Sequence, residues 1–408
     1  MKKHNFNRLV IAMGIAIVGS TASAQTSPIR PQYQFPTVTP SINGAAGVEV
    51  ADGTYFFPYF NFAIGHDDNI YESSTNATSS NIYISTPGFK LQSNQGSVVW
   101  QLGYEAPIGR FTGAQNNNYV DQNALATVDI ALSSRSYLRV GADYARGHDP
   151  IGSTDTPSGT YPNKYKLGGG GALFAYGAPG AEGRFEIAYA MAQKRYLNNP
   201  QYTDSLSRDT DTYGAAFYWR VMPKTYLIAE ARFNDYNYLQ PTTPGDNNVR
   251  RYFVGVTWEA TAKTTGTIKL GTFQQRFDNT VPDNNETSWE AQITWTPLTY
   301  SKFDLFSSKQ PTQATGLGDA INVTATGLAW RHDWNSKLST GLSYIYSNDD
   351  YVGFDRTDKV NTIGFKVGYQ MRRWLDLGFE YIYVDRDSNL NQYDYTRNRY
   401  FFTLGLTL

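Results

Sequence analysis

The chain closes on Tyr400-Phe401-Phe402-Thr403-Leu404-Gly405-Leu406-Thr407-Leu408. Tyr400, Phe402, Leu404, Leu406 and Leu408 fall on one side of this stretch and Phe401, Thr403, Gly405 and Thr407 on the other, the period of two that belongs to a β-strand. Just upstream, Trp374, Leu375, Leu377, Phe379, Tyr381 and Tyr383 interleave with Asp376, Gly378 and Glu380. Large apolar and aromatic side chains thus back onto small, hydroxylated or charged ones. That is the dyad pattern of a strand with lipid on its outer side and water on its inner side.

Working back toward the N-terminus, the same alternation recurs. Greasy alternate sets occur at Trp100, Leu102 and Tyr104; at Leu138, Val140, Ala142 and Tyr144; at Phe185, Ile187 and Tyr189; at Tyr213, Phe217 and Trp219. Others follow at Tyr252, Val254, Val256 and Trp258, at Leu342, Tyr344 and Tyr346, and at Ile363, Phe365, Val367 and Tyr369. The complementary positions hold Glu105, Asp129, Arg139, Asp143, Glu186, Arg220, Glu230, Arg232, Glu259, Lys269, Glu290, Asp304, Arg331, Lys366, Asp376 and Glu380. A charge facing lipid at the bilayer midplane costs about 2–4 kcal/mol, so as a set these residues require a polar interior and are the expected lining of a pore. Each one taken singly could equally be a wall salt bridge that stiffens the barrel.

Between these segments short connections alternate with long ones. Short turns are expected at Ser93–Gly96, Ser133–Arg135, Ala178–Gly183, Met222–Lys224, Thr261–Thr265, Pro297–Ser301, Asn335–Lys337 and Arg372–Arg373. Long loops are expected at His66–Ser80, Ile108–Asn118, Gly147–Pro162, Arg195–Arg208, Tyr238–Asn248, Phe277–Glu286, Ser308–Ala320, Ser347–Asp358 and Arg386–Thr396. The series predicts an all-β fold, a transmembrane antiparallel β-barrel of about eighteen strands with tight periplasmic turns and longer extracellular loops. Both termini then lie on the short-turn side.

Met1–Ala24 reads as a secretory signal, with Lys2, Lys3 and Arg8 ahead of the apolar run Leu9–Val18 and an Ala22-Ser23-Ala24 cleavage site. Gln25–Gly53, with Pro28, Pro31, Pro36 and Pro40, reads as an extended periplasmic tail, leaving 54–408 for the barrel. Removing the three basic residues of the signal leaves a small acid excess, since the whole chain already carries a net charge of −1. This balance argues against a nucleic-acid partner. The absence of Cys from the sequence excludes disulfides and thiolate metal sites. A mean hydropathy of −0.47 argues against a bundle of membrane helices. The 31 Tyr fit the aromatic girdles of a barrel.

Few motifs suggest chemistry. Gly168–Gly171 lacks the following Lys-Ser or Lys-Thr of a phosphate loop and reads as a strand bend or a place where a neighbour needs room. His66 and His148 each precede an Asp, but a His-Asp pair in a polar loop, without a nucleophile, does not make a catalytic site. No enzyme activity, cofactor or metal centre is expected. The long loops are acidic, and Asp67-Asp68 and Asp349-Asp350 are candidates to share divalent cations with lipopolysaccharide. The short-turn side is basic, with Arg135, Lys224, Lys263, Lys302, Lys337, Arg372 and Arg373, which could gather an anionic polymer. Tyr218 and Phe401, on inward faces, are candidate platforms for sugar rings.

The first strand and loop read Phe57-Pro58-Tyr59-Phe60-Asn61-Phe62-Ala63-Ile64-Gly65 and His66-Asp67-Asp68-Asn69-Ile70-Tyr71, followed by Ile84-Ser85-Thr86-Pro87-Gly88-Phe89. With the closing Leu404-Gly405-Leu406-Thr407-Leu408, this resembles the family called putative β-barrel porin 2, although His66 stands where an aromatic residue is more usual. The last strand also resembles the signal by which Gram-negative outer-membrane barrels are recognised for insertion. The resemblance implies a Gram-negative outer-membrane barrel that exports exopolysaccharide or capsular polysaccharide. Its implied partners are outer-membrane lipid and lipopolysaccharide, the polysaccharide itself, a periplasmic polysaccharide-export protein and the barrel assembly machinery. Composition and pattern alone imply a polar-lined barrel, for which a general or solute-specific diffusion porin and a structural or adhesive barrel with an occluded lumen remain the other readings.

Overall fold

The computed structural model describes residues 47–408, apart from 157–160, 179, 241–244, 262 and 279 and the side chains of 260 and 261. The expected signal and most of the expected tail lie outside the described residues. Each wall strand pairs antiparallel with its sequence neighbours, and the last, Tyr395–Thr407, returns to the first, Thr54–Asp67. That seam runs from Tyr59 opposite Thr407 to Asp67 opposite Arg399, so the sheet is a closed ring. Closure matters in a bilayer because an open edge would leave backbone N–H and C=O groups facing hydrocarbon without partners.

Eighteen wall strands form the ring. After Thr54–Asp67 comes Ser80–Gln95, then a strand split into Val98–Glu105 and Ile108–Phe111, then one split into Tyr119–Val120 and Gln122–Ala131. The first split falls at Pro107, which has no N–H to give to the ladder. Ser136–Asp149, Asn163–Tyr176, Gly183–Tyr196, Arg208–Met222, Thr225–Tyr238, Asn247–Thr261 and Thr264–Phe277 follow. The ring is completed by Asn284–Leu298, Ser301–Gln313, Ala320–Asp333, Leu338–Val352, Thr357–Arg372, Leu375–Ser388 and the closing strand.

The alternation has the expected sides. Val254, Phe402, Trp219 and Leu328 are 67%, 63%, 53% and 48% exposed, whereas Asn61, Gln275, Glu380 and Glu186 are 0–2% exposed. An apolar outer band around a polar interior inverts the packing of a water-soluble domain and fits a lipid surround.

Several expected loops turn out shorter, because strands outrun the apolar alternation. Ser347–Asp358 was assigned to a loop, yet Ser347 pairs with Val360, Asn348 with Lys359 and Asp349 with Asp358. Ile108–Phe111 likewise pairs with Ile82–Ser85, and Ser308–Gln313 is strand. Greasy residues stop where lipid stops, but the backbone ladder needs only N–H and C=O groups and continues with polar side chains on both faces.

Two further expectations change. Val48–Ala51, within the expected free tail, is a strand that pairs with Thr54–Phe56, and the Gly47 N–H donates to the Leu408 carbonyl at 3.2 Å. The glycine run carries no bulge: Gly168–Gly171 keeps unbroken register with both neighbours. Room is what the inward pair supplies, since a Cβ at Gly171 would come within 2.6 Å of the Tyr189 carbonyl.

Candidate functional site: the lumen and its long-loop end

The interior differs along its height. In the short-turn half several inward charged side chains are half-buried. Asp129 accepts from Arg139 Nε at 2.5 Å and from the Tyr137 hydroxyl. Glu105 accepts from the Tyr59 hydroxyl at 3.0 Å and from Asn123 at 3.1 Å. Asp304 takes Thr294 Oγ1 at 2.5 Å and faces Lys302 Nζ at 2.9 Å. Nearer the turns, Arg331 pairs with Asp333 at 3.1 Å, Arg220 donates to the Gly180 carbonyl at 2.5 Å, and Glu259 is exposed. Lys366 lies across the ladder from Glu380, and Asp376 across from Gly405.

Toward the middle the charges become buried and connected. Arg232 reaches Glu290 with two nitrogens, at 2.7 and 3.1 Å, and also donates to Glu230. Lys269 Nζ lies 3.0 Å from Glu230 and 2.5 Å from Glu290. Glu230 and Arg232 share the strand Thr225–Tyr238, Lys269 comes from Thr264–Phe277 and Glu290 from Asn284–Leu298, two cations and two anions, which is how buried charge is tolerated. Glu186 pairs with Arg184 at 2.7 Å. Asp143 is buried, with one carboxylate oxygen lacking a partner.

At the long-loop end a loop crosses the mouth. Asp155 lies in the connection after Ser136–Asp149, the fifth strand, and Arg356 in the turn after Leu338–Val352, the fifteenth. In a ring of eighteen these places are nearly opposite. Arg356 Nη1 nevertheless lies 2.7 Å from Asp155, while its Nε and Nη2 donate to Asp358 at 2.9 and 2.6 Å. The Tyr351 hydroxyl and Thr315 Oγ1 donate to the same Asp155 carboxylate at 3.1 and 3.0 Å. Arg356 is 1% exposed, and its guanidinium lies 3.6 Å from the Tyr393 ring centre and 4.5 Å from that of Tyr351.

The latch extends into the wall. Arg397 binds Asp67 at 2.5 Å and Glu72 at 2.7 Å, and Arg386 lies 3.7 Å from Glu72 and 3.9 Å from Asp358. Acids and arginines therefore alternate from Asp67 through Arg397, Glu72, Arg386, Asp358 and Arg356 to Asp155. Beside this chain, burial pushes the Asp319 carboxyl above the usual carboxylate range. The arrangement can hold a loop across the lumen and release it through a small number of ion pairs.

This changes several expectations. Asp67 is fully buried against Arg397, and Asp68 accepts from the Asn398 backbone and side chain, both at 2.7 Å. Neither is presented to a divalent cation, and Asp349 is buried as well. Among the described residues no group of His, Cys, Asp and Glu has metal-binding geometry. Tyr218 and Phe401 are 2% and 5% exposed. Tyr218 packs on Ala216 and Ile228, and Phe401 on Ala63, Ile70, Ile82 and Ala114, so both fill space instead of offering a ring face. His66 meets Asn81 at 2.8 Å, and His148 meets Asp121 at 3.0 Å and stacks on Tyr119. The sequence reading missed Asp155 and Arg356 because the pair is separated by 201 positions. One signal was present: Arg356 is the lone cation among Asp349, Asp350, Asp355 and Asp358.

The family model for putative beta-barrel porin 2 matches residues 43–408. Among solved structures, the chain is similar to a BenF-like porin from Pseudomonas fluorescens Pf-5, at 10% identity and a TM-score of 0.51 over 88% of this chain and 100% of that one. It is also similar to Pseudomonas aeruginosa OccK2 (OpdF), at 11% identity and a TM-score of 0.51 over 88% and 98%. Pseudomonas aeruginosa OpdO matches at 12% identity and 0.50 over the same shares. At these identities the likeness is one of fold. No curated protein matches the chain in sequence.

Proposed function

Since the chain belongs to the putative beta-barrel porin 2 family and has a porin-like fold of the Gram-negative outer membrane, we propose that it is a channel for secreted polysaccharide, with its long-loop end outside the cell and its resting state latched. The observation that carries this reading is the contrast between the two ends. The short-turn half offers half-exposed hydrogen-bonding and charged groups, whereas the long-loop end is crossed by a loop held on the buried Arg356. A polymer delivered from the periplasm would meet a hydrated vestibule first and a closed exit second. A diffusion porin can also carry a constriction loop, but it conducts steadily in a bilayer, whereas an exporter stays closed without its partners. Conduction is passive in this reading: wall charges and hydroxyls replace water around the sugar, with no cofactor and no bond made or broken. An adjoining periplasmic export protein would supply cargo and opening.

The test has two parts. Deleting the gene should lower surface polysaccharide while leaving uptake of small solutes unchanged, and the purified protein in planar bilayers should conduct weakly until the latch is cut by Asp155→Asn. Steady large conductance of the unaltered protein, together with unchanged surface polysaccharide after deletion, would establish a diffusion porin instead.

A further inference from the structure

Outside the lumen, outward faces carry charge at several long-loop strand ends, among them Asp211 opposite Asp235, and in one place the charges are adjacent cations. At the long-loop ends of three adjacent strands, Arg146 stands directly opposite Lys166, and Lys166 directly opposite Arg195. All three belong to the outward set: Arg146 follows Val140, Ala142 and Tyr144 in alternation, and its neighbours share its row. Lys164, also exposed, is the next outward residue beyond Lys166. Like charges directly across a ladder destabilise it. Arg195 is committed within the wall: Nη2 donates to Asp209 at 2.5 Å and Nη1 to the Lys194 and Arg208 carbonyls at 3.0 and 2.7 Å. Arg146 and Lys166 are exposed and make no side-chain hydrogen bond or ion pair among the described residues. Two uncompensated cations directly across from each other on the membrane side of a wall call for an anion that the protein does not supply.

The surface beneath the row is shaped as well as charged. Toward the midplane the outward positions of the middle strand are Gly168 and Gly170, and a Cβ at Gly168 would meet nothing within 4 Å. Across from them stand Tyr144 and Ala142 on one flank and Gln193 and Met191 on the other, with Tyr144 and Met191 44% and 50% exposed. Strands lie about 4.8 Å apart, so these flanks are separated by about 10 Å, room for a hydrocarbon chain between them. This gives the outward glycines of the run a use of their own.

We propose that this face binds one lipopolysaccharide molecule of the outer leaflet. A phosphate of the headgroup is held by Arg146 and Lys166, and an acyl chain lies over Gly168 and Gly170. Arginine forks pair with phosphate oxygens through charge-assisted bonds. The depth agrees, because cations on the lipid side are tolerated near the interface, at about 0–1 kcal/mol, and not at the midplane. This site takes the place of the acidic, cation-bridged one expected from Asp67-Asp68. It rests on the long-loop end facing outward and is independent of what the lumen carries.

The test uses the full-length protein in non-ionic detergent, with retained lipid read by native mass spectrometry. The probes are bis-phosphorylated lipid A, the same lipid with its phosphates removed, phosphatidylglycerol, and inorganic phosphate alone. The expected result is preferential retention of phosphorylated lipid A, weakened about tenfold or more in the Arg146→Gln, Lys166→Gln double variant, as loss of charge-assisted bonds implies. Gly168→Leu should weaken lipid A retention without affecting weak binding of inorganic phosphate. Heat-dependent gel mobility identifies folded barrel, and Lys166→Glu alone provides a second reading at the same site. Equal retention by the folded double variant, equal retention of dephosphorylated lipid A, equal retention of phosphatidylglycerol, or full competition by an equal concentration of inorganic phosphate would each overturn the proposal.

Discussion

In the short-turn half the Arg139–Asp129 pair leaves 34% and 24% of its side chains exposed, while at the long-loop end the Arg356–Asp155 pair leaves 0% and 9%. The bond lengths, 2.5 and 2.7 Å, hardly differ, so geometry does not separate them. Water does. Near the turns either charge can be rehydrated when its partner leaves. At the latch neither can, and the removal of one partner strands two acids, Asp155 and Asp358, around an empty position. The same ion-pair chemistry is therefore weak and adjustable in one half and all-or-none in the other.

The largest expected effect breaks the contrast at its buried end. Arg356→Ala should cost about 3–5 kcal/mol in urea-dependent unfolding of the detergent-solubilised barrel, the range for uncoupling a buried ion pair. It should also raise single-channel conductance. A variant as stable and as closed as the parent would show that the latch holds nothing. Within the buried middle, Lys269→Met leaves Glu230 and Glu290 to share Arg232 alone, and a loss of about 2 kcal/mol follows from one under-satisfied buried carboxylate. The same unfolding experiment reads it. A loss as large as that at Arg356 would extend the all-or-none regime down to the lumen network.

Smaller effects belong to the hydrated half. Asp129→Asn should change stability by less than about 1 kcal/mol, because a half-exposed pair gains little over its hydrated parts. A loss of several kcal/mol would erase the distinction between the halves. Smallest of all, Arg372→Gln with Arg373→Gln should leave stability unchanged and shift only the anion-to-cation permeability ratio measured across a salt gradient. An unchanged ratio would remove the short-turn basic residues from any role in gathering anionic polymer.

What could be read in the sequence divides along the same line. The lipid face was legible because hydrocarbon imposes one demand everywhere: Val140, Ala142 and Tyr144, or Leu342, Tyr344 and Tyr346, must all be greasy, at a period of two. Strand number followed from the same demand. Strand ends did not, since Asn348 and Asp349 continue the ladder without lipid to mark them. The latch was not legible because alternation carries no information about which loop crosses to which strand, and Asp155 finds its partners at Thr315, Tyr351 and Arg356 only after the ring has closed. The outward row of Arg146, Lys166 and Arg195 was hidden for a related reason. Each residue alone looks like the polar end of a strand, and only register sets them side by side.

The ring's closing seam runs only from Tyr59–Thr407 to Asp67–Arg399, whereas the next ladder begins at Thr54–Ser93 and reaches Asp67–Ser80. Val48–Ala51 fills the uncovered part of the first strand. Under a pulling force applied to the final strand, this short splice rather than the long ladder would carry the initial load, so the barrel's resistance to being unzipped is set at the join between its first and last strands instead of by its continuous wall.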